Sequence, residues 1–160
     1  MVYYDHEPEQ VKYEVRPDGK AEVWIRRDIR QESTPEGGQV WVAEEVHFQT
    51  VQTQAEIVAN ADVLFFRNSD VRKVLTDVMQ DYMDTVAQER GYDTILSLIS
   101  YENSSVDKYA AEAAAGKALR DAVWPYCYEI EAAVLAGTSR IPTKEELLAN
   151  APRIVWPDQE

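Results

Sequence analysis

The chain predicts an α+β fold: an N-terminal three-stranded antiparallel β-meander, then a mainly helical part with one long helix. Three observations carry this. Residues 11–51 alternate apolar and polar positions around two turn signals, Pro17-Asp18-Gly19 and Thr34-Pro35-Glu36-Gly37-Gly38. Residues 70–90 repeat their apolar positions at the helical period. An alanine-rich stretch, residues 106–136, keeps steps of three and four across Pro125.

The elements follow in order. Residues 1–10 are a polar lead-in. Val11, Tyr13 and Val15 share one face of a first strand, Val23 and Ile25 one face of a second, and Val40, Val42, Val46 and Phe48 mark the third. The apolar face of this meander needs cover from a helix or a partner chain. Thr53 with Glu56 forms a capping box that starts a helix running from Gln54 to about Phe66. Ser69 caps the next helix, residues 70–90, with Gly91 as its terminator. Asp93 caps a short helix over 94–100, and Asn103-Ser104-Ser105 turns the chain.

The long helix then carries a stripe through Val106, Tyr109, Ala113, Gly116, Leu119, Val123, Tyr126, Ile130 and Ala133. The stripe keeps its phase at Pro125, so the helix is expected to bend there and continue, over about 45 Å at 1.5 Å per residue. Gly137 ends it. Thr143 and Glu146 form a second capping box, Pro152 stops that helix, and Val155 and Trp156 anchor an extended tail. The expected division is residues 1–52 as the meander and 53–160 as a helical domain.

Composition narrows the function. Asp and Glu number 29 against 16 Lys and Arg, a net charge of −13. Such a surface repels phosphate backbones and anionic lipid, so neither nucleic acid nor membrane is an expected partner. A decoy imitating DNA needs carboxylates laid out like phosphates; here they are interleaved with Lys and Arg. An acidic inhibitor of a nucleic-acid-binding protein is the alternative reading that this charge keeps open. Cys127 is the single cysteine, so no internal disulfide forms. With no signal-peptide pattern and no long apolar run, the expectation is a soluble protein made inside the cell.

No catalytic or metal-binding constellation emerges. His6 and His47 have no partner in the pattern, and His47 reads as a surface or cross-strand histidine. Cys127 reads as a buried, inert thiol rather than the nucleophile of a pair with His47. Asp77, Asp81 and Asp84 recur on one helix face and read as its solvated side rather than a cation site. Glu36-Gly37-Gly38-Gln39 lacks the context of a phosphate loop. No cofactor is expected, and no enzymatic activity. Aromatics are the more informative class, because Tyr and Trp are favoured interface anchors. Tyr101, Trp124, Tyr128 and Trp156 are the candidate partner-binding residues.

Three segments in sequence then carry a resemblance: "GYDTILSLISYENSS" (91–105), "KYAAEAAAGKALRDAVWPYCYEI" (108–130) and "AGTSRIPTKEELLANAPRIVW" (136–156). In this order they resemble a C-terminal domain of small bacteriophage proteins encoded in the tail and tail-fibre region. Leu119 and Pro125 depart from that pattern. The resemblance implies a virion-associated tail protein or a helper of tail-fibre assembly, in the host cytoplasm during assembly or in the virion tail. Its partners would be tail or tail-fibre proteins, with self-association through helix packing allowed. It brings no catalytic residues. On physical grounds Arg120 and Asp121 read either as an ion pair fixing the helix near Trp124 or as solvated charges on its outer face.

Overall fold

A computed structural model describes residues 1–157. The fold is α+β, with a four-stranded antiparallel sheet and six helices among the described residues. The strands are β1 (Val2–Tyr4), β2 (Val11–Val15), β3 (Ala21–Ser33) and β4 (Gln39–Thr50) in the order β1-β4-β3-β2. The expected three-stranded meander is present as β2-β3-β4, and β1 adds a fourth strand beside β4, out of sequence order. β1 arises from the expected lead-in, pairing Val2 with Ala43 and Tyr4 with Trp41. At three residues it is too short to show an alternation.

Both turn signals close hairpins. Gly19 takes φ +80 between β2 and β3, a conformation that costs a side-chain-bearing residue but not glycine. Between β3 and β4, Thr34 N donates to Gly38 O at 2.9 Å and Gly37 N to Thr34 O at 3.0 Å. β3 carries a bulge: Arg27 pairs Glu44 and Arg30 pairs Val42, so Asp28 and Ile29 share the single place opposite Ala43. Asp28 absorbs the irregularity with φ 51.

The helices are α1 (Gln54–Ala59), α2 (Ala61–Asn68), α3 (Val71–Gln88), α4 (Ile95–Ile99), α5 (Asp107–Leu135) and α6 (Lys144–Ala149). The helix expected over 54–66 is two. Asn60 interrupts it, with its side-chain amide donating to Glu56 O at 2.8 Å and its backbone N–H reaching the same carbonyl at 3.2 Å. Asparagine competes in this way with the regular ladder. Both expected capping boxes form, at Thr53/Glu56 and Thr143/Glu146. After α3, Gly91 at φ +83 lets Tyr92 N reach Ala87 O at 3.3 Å and Gly91 N reach Gln88 O at 2.9 Å, the paired bonds of a Schellman terminus. α4 is capped by Thr94, not Asp93: the Thr94 hydroxyl accepts from Ser97 N at 3.1 Å.

The chain divides into two units, Met1–Asp70 with Val134–Thr138, and Val71–Ala133 with Ser139–Glu160. The division therefore falls after Asp70, not after residue 52. The reason is cover: α2 packs on β3 and β4, and Ile57, Val63, Phe65 and Phe66 are buried with Val23, Ile25, Val42 and Val46. The core of the second unit gathers Met79, Met83, Val86, Ile95, Leu98, Leu119, Val123 and Leu147.

α5 runs through Pro125 without interruption, as the unbroken phase predicts. Its buried positions are Glu112, Ala113, Gly116, Leu119, Val123 and Val134, whereas Pro125 and Asp121 lie on the exposed face. The Asp121 carbonyl that loses its partner at Pro125 therefore faces water, which lowers the cost of the proline. Val106 and Tyr109, expected in the buried stripe, are exposed at 47% and 40%. Replacing Pro125 by alanine is expected to stabilise the chain by about 1–3 kcal/mol, given proline's penalty of about 3 kcal/mol in a helix interior. Urea unfolding of the Pro125→Ala variant checks this; a lower midpoint would mean that the packing of α5 requires the proline.

Candidate interaction surface

The second unit brings two of the four candidate residues into one linked constellation. Tyr92, placed by the turn after α3, meets Tyr101 edge-on with ring centroids 5.6 Å apart. Tyr101, in the turn after α4, lies 5.6 Å from Tyr109 in the first turn of α5. The Tyr92 hydroxyl donates to Glu112 Oε2 at 2.7 Å. Arg90 Nη1 stands 3.6 Å from Glu112 Oε1, and its guanidinium lies 4.9 Å over the Trp156 ring. A continuous path of contacts thus runs from Tyr101 to Trp156.

Glu112 is the base of this arrangement. Only 3% of it is exposed, in the middle of an alanine-rich helix face. A buried carboxylate is tolerable only when its oxygens are satisfied, and Tyr92 and Arg90 supply the two partners. Burial and the hydrogen bond to the Glu112 carboxylate push the Tyr92 hydroxyl up to about 12. The folded chain therefore keeps the phenol proton longer than the unfolded chain, whose tyrosines titrate at about 10. The stability this bond supplies is complete below pH 10 and is lost as pH rises towards 12. Tyr92→Phe is expected to cost about 1–3 kcal/mol at neutral pH, by leaving Glu112 Oε2 without its donor, and to remove that alkaline slope. Urea titrations of both proteins at pH 7 and pH 11 measure it.

Tyr101 and Tyr109 are exposed at 42% and 40% beside this anchored base, and Val106 is exposed at 47%. Trp156 is half-buried. The other two candidates are separate: Trp124 packs half-buried against the core, and Tyr128 is exposed one helical turn on. Tyr92, Glu112 and Arg90 are not singled out from sequence, and Tyr109 reads there as a buried stripe position. A glutamate inside an alanine-rich helix was the available signal, but its partners come from another turn of chain. Arg120 does pair with Asp121 at 3.2 Å, but as neighbours with side chains 33% and 56% exposed. Such a pair contributes little and does not fix helix packing.

Asp77 and Asp84 have structural occupations. Asp77 pairs with Lys73, and Asp84 Oδ1 accepts from Ile95 N at 2.7 Å at the start of α4. No group of three His, Cys, Asp or Glu able to hold a metal lies among the described residues. Burial raises the Cys127 thiol above its ordinary value, which keeps it protonated and unreactive at neutral pH.

In the first unit, His47 stacks on Trp24 across β3 and β4 at 4.5 Å and stands 2.6 Å from Glu22 Oε2. Arg16 also binds Glu22, and this pairing, ahead of the His47 and Gln49 contacts, holds the Glu22 carboxyl below its usual range. On the same sheet Arg26, 6% exposed, reaches Glu45 at 2.7 Å, the Tyr4 hydroxyl at 2.8 Å and Glu9 O at 2.8 Å. It fastens β1 and the lead-in to the sheet. No helix among the described residues is long and apolar enough to cross a membrane.

No protein-family model, curated protein or solved structure matches the chain.

Proposed function

We propose that this chain is a non-enzymatic phage tail or tail-fibre-associated protein, a virion component or assembly chaperone, that works by protein–protein interaction. The observation that carries this is the exposed pair Tyr101 and Tyr109, standing on the anchored Tyr92–Glu112 base. Tyrosines presented with their rings already packed lose little freedom on binding, and they combine apolar area with a polar tip. The tail context comes from the resemblance of residues 91–156, which include this surface.

The alternative, an acidic inhibitor of a host nucleic-acid-binding protein, draws on the net charge of −13. Against it, carboxylates such as Glu22, Glu45, Asp77, Glu102 and Glu146 are each paired with a Lys or Arg of this chain. Paired carboxylates make a poor copy of a phosphate row.

Affinity capture from the cells that produce the protein, followed by mass spectrometry, tests the reading. Tail or tail-fibre proteins are expected with the wild type, and their yield should fall at least 10-fold with Tyr101→Ala/Tyr109→Ala, a loss of the size expected for hot-spot tyrosines. A basic host nuclease or polymerase that elutes at moderate salt would replace this reading with the alternative.

A further inference from the structure

β2 is an outer strand of the sheet: it pairs with β3, and among the described residues no strand lies on its other side. The hydrogen bonds at its two ends set the phase of its backbone. Arg26 N donates to Gln10 O and Arg16 N to Lys20 O, both at 2.8 Å. In an antiparallel pair such positions alternate with ones that turn their backbone groups away. Lys12 and Glu14, opposite Trp24 and Glu22, therefore bond to β3, and Val11, Tyr13 and Val15 point their N–H and C=O groups outward. Among the described residues, no backbone group from outside the sheet meets them. The same three residues carry side chains of the apolar face. α2 packs on β3 and β4, and Val15 beyond them is 74% exposed, with Val11 and Tyr13 half-buried. The Tyr13 hydroxyl donates to Gln52 O at 2.8 Å, which holds its ring beside the end of β4.

We propose that a second copy of this chain occupies this edge, the two β2 strands pairing antiparallel about Tyr13 and joining the two sheets into one. What selects a second copy is the pattern Val11-Lys12-Tyr13-Glu14-Val15, whose charges complement themselves. Centred on Tyr13, the pairing sets each Lys12 opposite the other copy's Glu14 and each Val15 opposite the other copy's Val11. Tyr13 and the valines then form the hydrogen-bonded pairs, as their outward backbone groups require. Lys12 with Glu14 is the pair between, where side chains approach most closely. Moving the centre to Lys12 or to Glu14 puts like charges opposite each other, so the charges fix the register. Within one chain Lys12 Nζ stands 2.6 Å from Glu14 Oε1, with side chains 47% and 54% exposed. Pairing places a second opposite charge beside each of them. The inference goes beyond the tail reading and uses residues of the first unit alone, so its failure leaves the Tyr101 and Tyr109 surface standing.

The test is the oligomeric state of the full chain. Analytical ultracentrifugation of the wild type should show a monomer–dimer equilibrium below about 1 mM. Lys12→Glu and Glu14→Lys each put like charges opposite in both halves of the dimer, and each alone should weaken pairing about 10-fold. An equimolar mixture of the two variants restores opposite charges and should pair about 10-fold more tightly than either alone. Both side chains are exposed, so neither change reaches the core. Val15→Lys, at an equally open position, sets a charge opposite Val11 and should also weaken the dimer. In the concentrated wild type, the amides of Val11, Tyr13 and Val15 should exchange more slowly than in dilute solution. Those of Lys12 and Glu14, already bonded to β3, should change less. A photo-crosslinker at position 15 should capture a second copy and no other protein. A wild type that stays monomeric up to about 1 mM overturns the proposal. So does a dimer indifferent to these variants, or a mixture that pairs no better than its parts. A monomer whose outward amides are protected by a captured tail protein would replace the second copy with that protein.

Discussion

Arg26→Met is expected to destabilise the protein by about 3–5 kcal/mol, the usual cost of removing one member of a buried ion pair. The Arg26 and Glu45 side chains are only 7% and 14% exposed. Without the guanidinium, Glu45 keeps the Tyr4 hydroxyl as donor but loses its charge partner. The Glu9 carbonyl loses its side-chain donor at the same time. The lead-in and β1 should therefore loosen first, visible as faster amide exchange over residues 2–10 than over β3. Because the penalty belongs to the stranded carboxylate, Arg26→Met/Glu45→Leu should recover most of the loss. Urea unfolding of the single and double variants measures both. A double variant no better than the single would place the energy in the packing of the arginine stem instead.

Gly116→Val is the second large effect, expected at about 3 kcal/mol or more of lost stability. A Cβ at Gly116 would lie 2.5 Å from Leu98 Cδ2 and 2.9 Å from Leu98 Cγ. Leu98 has no exposed surface, and its Cγ as well as its Cδ2 would have to move. Helix propensity works the other way, but valine gains only about 0.4 kcal/mol over glycine, so the clash wins. Gly116→Ala sets about 1 kcal/mol of propensity against about 1–3 kcal/mol of overpacking and should lose less. Ala118 is exposed on the same helix, so Ala118→Val should cost no more than its propensity difference, about 0.6 kcal/mol. Thermal melts of the three variants order these effects; equal losses at 116 and 118 would remove the close approach of α4 and α5 as the cause.

Gly116 also shows what is legible in sequence. It sat correctly on the buried stripe of α5, because its spacing from Ala113, Leu119 and Val123 is local information. That it must be glycine comes from Leu98 on another helix, which no local pattern contains. The hairpins, both capping boxes and the continuity of α5 through Pro125 were readable for the same local reason. The missed features are short or tertiary. β1 has three residues, the Asn60 break depends on one side chain reaching back a turn, and α2 belongs to the sheet because Phe65 and Phe66 are buried with it. At the candidate surface, Tyr101 and Trp156 were recognised as aromatics off the main stripe. Glu112, which sits between them, needed the turn at Gly91 to bring Tyr92 and Arg90 beside it.

The central claim is that Tyr101 and Tyr109 present the surface by which the chain joins a tail assembly. A photo-crosslinking amino acid at position 101, in the cells that make the protein, tests this directly, with position 15 as an exposed control on β2. The account predicts a covalent adduct with a tail or tail-fibre protein from position 101 and none from position 15. Adducts with other tail proteins at equal yield from both positions, or an adduct from 101 with a basic host nucleic-acid enzyme, would contradict it.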